Sequence, residues 1–202
     1  MAATGLAALV LAGAWVAVQG GHTVSVDRLG FRLLALPTRG WAADSASTAV
    51  EVAKAILGLA AAAALAWLAL RRRAWAETAA LLAGLVLAQL TAHIVKNAVA
   101  RPRPGHGLVA AGGFSFPSTT SAIGTCFLFL GIALAQPLTG RARRAAIATG
   151  AALTLLLALS FVMLRVHYLS DVIAGVALGV IAFASCEALA RQAASLLTGA
   201  AR

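Results

Sequence analysis

TLLLALSFVMLRVHYLSDVIAGVALGV, residues 154–180, places an arginine, a histidine and an aspartate between two apolar runs. Charge beside hydrocarbon is expensive, and ionisable groups at membrane depth usually mark a functional site. A membrane span needs about 20 mostly apolar residues. With the residues around them, the two flanks reach that length. The stretch therefore reads as two spans joined by a short charged corner, 164–170.

Outward from this corner the same pattern repeats. Six apolar runs lie at roughly 4–20, 49–70, 75–98, 119–137, 144–163 and 170–190, the clearest being LGLAAAAALAWLAL (57–70) and ALTLLLALSFVML (152–164). The 202 residues are 61% hydrophobic and 11% charged, whereas a soluble domain carries about one quarter charged residues. The expected fold is all-α: one integral membrane domain over 1–202, built as a six-helix bundle. No Lys or Arg precedes Arg28, so the first run lacks the basic start of a signal peptide and is expected to remain as a span. Segment 21–48 mixes Gly, Pro, Trp and charge, and its core, VDRLGFRLLALP (26–37), is expected to lie at the membrane interface. Cys126 and Cys186 both fall inside spans and indicate no disulfide framework.

The net charge of +10 would point to nucleic acid in a soluble protein. Here the bases sit at span ends, where they set topology, and no nucleic-acid partner is expected. Arg71, Arg72 and Arg73 fall on one side with Arg141, Arg143 and Arg144 and with Arg191 and Arg202. The positive-inside rule makes that side cytoplasmic, with both termini. Loops 21–48, 99–118 and 164–170 then face outward. The high Ala and Arg content suggests a GC-rich bacterial source, hence the inner (plasma) membrane. The sequence carries no sign of an oligomeric state.

The outward side nevertheless holds Lys96, Arg101, Arg103 and Arg165, with His93, His106 and His167. A bound anion would explain bases on the wrong side. In KNAVARPRPGHG (96–107), Pro102 and Pro104 stop the helix and stiffen the loop. Arginine forks onto phosphate oxygens while lysine acts as a point charge, although the same bases could anchor at lipid headgroups. In GGFSFPSTTSAIG (112–124), Ser118, Thr119, Thr120 and Ser121 open a span. A helix N-terminus there holds an anion, or the hydroxyls simply cap it. His167 and Asp171 are four apart, one turn on one helical face. A carboxylate on one ring nitrogen leaves the other free to attack. A structural hydrogen bond or a metal pair are the other readings. The chain has only six acids and offers no third ligand near this pair, which argues against metal.

Together these clusters resemble the type 2 phosphatidic acid phosphatase family, which includes related haloperoxidases. That family reads K-x6-R-P, then P-S-G-H, then S-R-x5-H-x3-D. Lys96 and Arg103-Pro104 fit the first motif, Pro117-Ser118 half of the second, and Ser160, His167 and Asp171 the third, over roughly residues 50–190. The resemblance implies that His167 attacks phosphorus and becomes a phosphohistidine, with Asp171 orienting it. It implies a phosphate cradle of Lys96, Arg103, Ser118 and the Thr119 amide, with Thr120 beside them, and no metal or other cofactor.

Two positions depart from the pattern. Thr120 stands where the family has its acid histidine, and Phe161 where it has an arginine. Arg165, one helical turn after Phe161, is expected to supply the missing charge. His106 or His93 could replace the acid. Expelling an alkoxide from a monoester badly needs a proton, whereas a diphosphate expels a phosphate whose second pKa is about 6. A surviving activity should therefore favour lipid diphosphates.

The expected function is a membrane lipid phosphate phosphatase, acting on a polyprenyl diphosphate or a phosphatidyl phosphate from the outer face of the bilayer. Its alternative is a degenerate relative that binds or carries a lipid phosphate without hydrolysis. An anion transporter is a third reading, but no inverted repeat or pair of broken spans supports it.

Overall fold

A backbone in hydrocarbon must satisfy its N–H and C=O groups internally, and here the apolar runs do so as α-helices. In the computed structural model the described residues are 23–37 and 41–199, with scattered positions before residue 23. They form α1 (Ser25–Leu34), α2 (Trp41–Leu70), α3 (Trp75–Val99), α4 (Thr119–Gly124), α5 (Cys126–Leu134), α6 (Gly140–Met163) and α7 (Leu169–Gly199). Four of them, α2, α3, α6 and α7, are long and apolar enough to cross a membrane.

The expected fourth span, 119–137, is shorter than a full crossing. It is the pair α4 and α5, divided at Thr125, whose hydroxyl donates back to Ser121 O at 3.1 Å. Such back-bonding bends helices. The expected first span, 4–20, lies mostly outside the described residues. Of its described positions, Val18 is buried in a cluster with Phe116 and Ala174. The expected interfacial segment 21–48 divides in two. Its first part is α1, amphipathic as expected, with Leu29 and Leu33 exposed. Its last part, from Trp41, already belongs to α2. Asp44 in the first turn favours that start by complementing the helix dipole.

The bundle turns apolar residues both inward and outward. Leu65, Leu68, Leu81, Cys126, Leu130 and Phe183 form an inner cluster, where Phe129 stacks on Phe183 at 5.3 Å. Leu59, Leu70, Val86, Leu90, Ile94 and Leu156 are exposed. In water such a surface would be an aggregation liability; against lipid it is the ordinary outer face of a span.

α7 is the central helix, packing on α1, α3, α4, α5 and α6. It approaches α4 closely because residue 175 is glycine: a Cβ there would collide with Ser118 O. Helices of alternating direction put the loop 101–118 and the corner 164–168 at one end of the bundle. Glu77, Arg143, Glu187 and Arg191 line a polar cleft at the other end.

Candidate active site

Asp171 is the third residue of α7, and its Oδ2 accepts the Tyr168 N–H at 2.9 Å. This is the acidic half of a capping box, which satisfies a free donor at the helix start. His167 stands just before the helix rather than on its face, and its N–H donates to Phe161 O at 3.1 Å. The pair expected from i,i+4 spacing on one helix still meets, across the cap: Nδ1 faces Asp171 Oδ2 at 3.5 Å. Both side chains are buried.

Arg103 meets the outer ring nitrogen of His167. Its Nη1 lies 3.3 Å from His167 Nε2. A guanidinium only donates, so this contact is a hydrogen bond in the tautomer whose Nε2 is unprotonated and whose proton is on Nδ1, facing Asp171. The same Arg103 donates to Val166 O at 3.0 Å and to Gly112 O at 2.9 Å. Lys96, at the end of α3, donates to Phe114 O at 2.8 Å and Ser115 O at 3.3 Å. The loop closes on itself through Ser115 N–H to Arg101 O at 2.8 Å.

Ser118 caps α4: its hydroxyl oxygen accepts the Ser121 N–H at 3.3 Å and the Ser121 hydroxyl at 2.9 Å. Its own N–H donates to Asp171 O at 2.9 Å. The capping role is therefore real, and the cap abuts the histidine–aspartate pair. The Thr119 hydroxyl oxygen is buried with no hydrogen-bond partner.

Burial pushes the His167 imidazole below its ordinary range, against the pull of Asp171, and Lys96 and Arg103 push the same way. A neutral imidazole is the nucleophilic form.

The sequence missed the group behind Asp171. Arg101 is fully buried. Its Nη1 donates to Asp171 Oδ1 at 2.6 Å and to Ser170 Oγ at 2.8 Å. Its Nη2 donates to Asp27 Oδ2 at 2.6 Å, and its guanidinium lies 3.9 Å from the Tyr168 ring centroid. Asp27 comes from α1, where it accepts the Val24 N–H at 3.1 Å as another capping carboxylate. Its Oδ1 accepts the Ser170 N–H at 2.9 Å. Two helix N-termini thus present their third-residue carboxylates to one arginine. Removing one partner from such a buried network costs about 3–5 kcal/mol. The available clue was an acid, Asp27, in a segment otherwise read as interfacial.

Arg165, which was expected to supply a charge to the cluster, makes its contacts with the chain after α1. Its backbone is left-handed, φ 56°, and its Nε donates to Leu36 O at 2.9 Å. Its guanidinium lies 5.9 Å from the Phe31 ring centroid, so it clips the chain after α1 onto the corner. His93 and His106 are exposed. Thr120 instead lines an apolar cleft of about 570 Å³ between α2, α3 and α6, with Lys54, Leu57, Leu85 and Leu157.

A family model described as the PAP2 superfamily matches residues 77–193, starting later than the resemblance read from the sequence and leaving α1 outside. No curated protein matches the chain. Among solved structures, the chain is similar to a transmembrane PAP2-type phosphatidylglycerolphosphate phosphatase from Bacillus subtilis. The TM-score is 0.78 at 20% identity, covering 95% of this chain and 98% of that one. That likeness speaks to fold, and with the apolar helices it makes this an integral membrane protein. The family match spans more than half of the chain, from the first turn of α3 almost to the end of α7, and on that ground the protein belongs to the PAP2 superfamily.

Proposed function

We propose that the protein removes a phosphoryl group from a lipid phosphate through a phosphohistidine on His167. The observation that carries this reading is the contact of Arg103 Nη1 with His167 Nε2. It is consistent with an unprotonated Nε2 and a proton on Nδ1, and the lone pair that Arg103 now holds is freed when phosphate draws the guanidinium onto its oxygens.

The chemistry balances with these residues. The Nε2 lone pair forms a bond to phosphorus as the bond from phosphorus to the leaving oxygen breaks. The product is a phosphorylated imidazole still protonated on Nδ1, and its positive charge is met by Asp171. Catalytic hydrogen bonds are often long before substrate arrives, and the 3.5 Å contact of Nδ1 with Asp171 fits that pattern. Water then attacks phosphorus, the P–N bond breaks, and the imidazole recovers its lone pair. The water protons leave with inorganic phosphate.

Lys96 and Arg103 now rest on neutral carbonyls of residues 112–115. A phosphate is the stronger, charge-assisted acceptor and would draw both onto its oxygens. The free Thr119 hydroxyl and the start of α4 complete the cradle. The apolar cleft beside Thr120 is of ordinary ligand size and takes the hydrocarbon tail. A diphosphate is the favoured substrate, because its leaving phosphate needs little protonation. The arginine-rich end opposite the site is the cytoplasmic one by the positive-inside rule, so the site faces the outside of a bacterial plasma membrane.

The test is phosphate release by detergent-purified protein from a prenyl diphosphate and from a phosphatidic acid, each beside H167A. Release lost in H167A, with acid-labile phosphate trapped on the wild-type protein, is the expected result. Lipid phosphate held without release or trapping would mark a binding protein instead, the reading that Thr120 and Phe161 favour.

A further inference from the structure

We propose that Asp27, outside the family-matched region, is a positioning residue for His167, acting through Arg101 and Asp171. The inference rests on the phosphohistidine reading and adds a residue to it.

Charge sets the first constraint. The phosphorylated imidazole is positive, and Asp171 is the carboxylate facing it. Asp171 is also 2.6 Å from Arg101. Arg101 and Asp171 alone would form a neutral pair, leaving little negative charge for the ring. The structure divides the guanidinium instead: Nη1 goes to Asp171 Oδ1 and Nη2 to Asp27 Oδ2, both at 2.6 Å. One cation between two carboxylates leaves a net charge of −1. All three side chains are fully buried, so water screens none of this.

Geometry adds a second constraint. Asp27 Oδ1 accepts the Ser170 N–H at 2.9 Å, one residue before Asp171. A single carboxylate on α1 thus holds both the cation behind Asp171 and the backbone that carries it. Asp27 has no contact with the side chains of Lys96, Arg103 or His167 among the described residues, so it does not touch the cradle.

A scaffold residue and an electrostatic one predict different kinetics. The charged groups around His167 are Asp171 on α7, Lys96 on α3 and Arg103 in the loop. Arg101 and Asp27 stand behind Asp171, Tyr168 stacks on Arg101, and Lys54 lies across Phe161. D27N removes the negative charge behind Asp171 and turns into a donor one of the two oxygens that accept from Ser170, Arg101 and Val24. It should lower kcat about tenfold with KM little changed, and move the acid limb of the pH profile down by about one unit, one unit corresponding to a factor of ten. The sign follows from charge: a less negative surrounding disfavours the imidazolium, so the ring deprotonates at lower pH.

The double variant D27N/R101M removes the cation together with the carboxylate and restores the −1 on Asp171. Replacing a buried ion pair with neutral groups of similar volume is often tolerated, so this variant also serves if D27N alone does not fold. The experiment measures kcat, KM and the pH profile on a prenyl diphosphate, with melting temperature, for wild type and both variants. The expected result is the tenfold loss and shifted limb in D27N, with a large part of kcat recovered in D27N/R101M. Folded D27N with an unmoved limb, or a folded double variant no faster than D27N, overturns the role of Asp27 and leaves the phosphatase reading standing. Wild type without His167-dependent release overturns both.

Discussion

Phe161 meets His167 edge to face, with ring centroids 6.1 Å apart. Lys54 Nζ stands 5.5 Å from the centroid of the same Phe161 ring. Phe161 stands where the resemblance read from the sequence leads one to expect an arginine, and a cation near its ring is on α2. Lys54 also lines the apolar cleft with Thr120. Its ion pair with Glu51, at 2.8 Å and three residues apart, is partly exposed and contributes only a few tenths of a kcal/mol. K54M should therefore leave the melting temperature unchanged. It should raise KM for a lipid diphosphate more than for a lipid monophosphate, because the second phosphate of the diphosphate lies between the attacked phosphorus and the tail in the cleft that Lys54 lines. Equal KM changes on both substrates would reduce Lys54 to a surface residue.

The helices were legible in the sequence because hydrophobic run length fixes a span almost without context. α3 and α6 fall within a few residues of their expected bounds. The break at Thr125 was not legible, since it arises from one hydroxyl bonding back within an apolar run. The meeting of His167 with Asp171 followed from their spacing, although it is made across a cap rather than along a helix. Arg165 and Asp27 could not be placed from spacing, because each is fixed by a partner far away in the chain. Leu36 is 129 residues from Arg165, and Ser170 is 143 from Asp27.

Gly175 lets α7 approach the start of α4. A Cβ at 175 would collide with Ser118 O and stand 2.9 Å from the Ser121 Cβ. Ser118 is tied to the Asp171 carbonyl, so displacing it disturbs both halves of the site. Overpacking of this kind costs about 1–3 kcal/mol. G175A should lower the melting temperature and reduce phosphate release. G58A is the control: nothing lies within 4 Å of a Cβ there, and alanine is the better helix former by roughly 0.5–1 kcal/mol. A G175A protein that melts with wild type would show that α7 can move away from α4 at no cost.

The pH dependence follows from the buried histidine. Burial lowers the pKa of His167 from its ordinary value of 6.5. Protonation removes the attacking lone pair, so activity should persist below pH 6.5 and fall only on reaching the lowered pKa. Stability runs the same way. The unfolded chain takes up a proton at position 167 near pH 6.5 and the folded chain does not, so stability declines as pH falls below that point. H167Q should flatten this part of the stability profile. A kcat/KM acid limb at or above 6.5 in wild type would show that burial does not lower the pKa of the ring in the free enzyme.

A histidine placed at Thr120, where the resemblance read from the sequence leads one to expect it, tests the leaving-group proposal. The residue is half-buried on the first turn of α4 and borders the cleft, so a histidine has open space to enter. General acid catalysis is typically worth about 10² to 10⁴ in rate, but only where the leaving group needs the proton. T120H should therefore raise kcat on a phosphatidic acid by at least about tenfold and change the prenyl diphosphate rate much less. The gain should disappear in T120H/H167A, since an acid without its nucleophile has nothing to protonate. Wild-type rates already equal on the two substrates would mean that another proton donor serves the site. Exposed His106 would then be the first to replace, because it lies three residues past Arg103 at a left-handed turn, φ 60°.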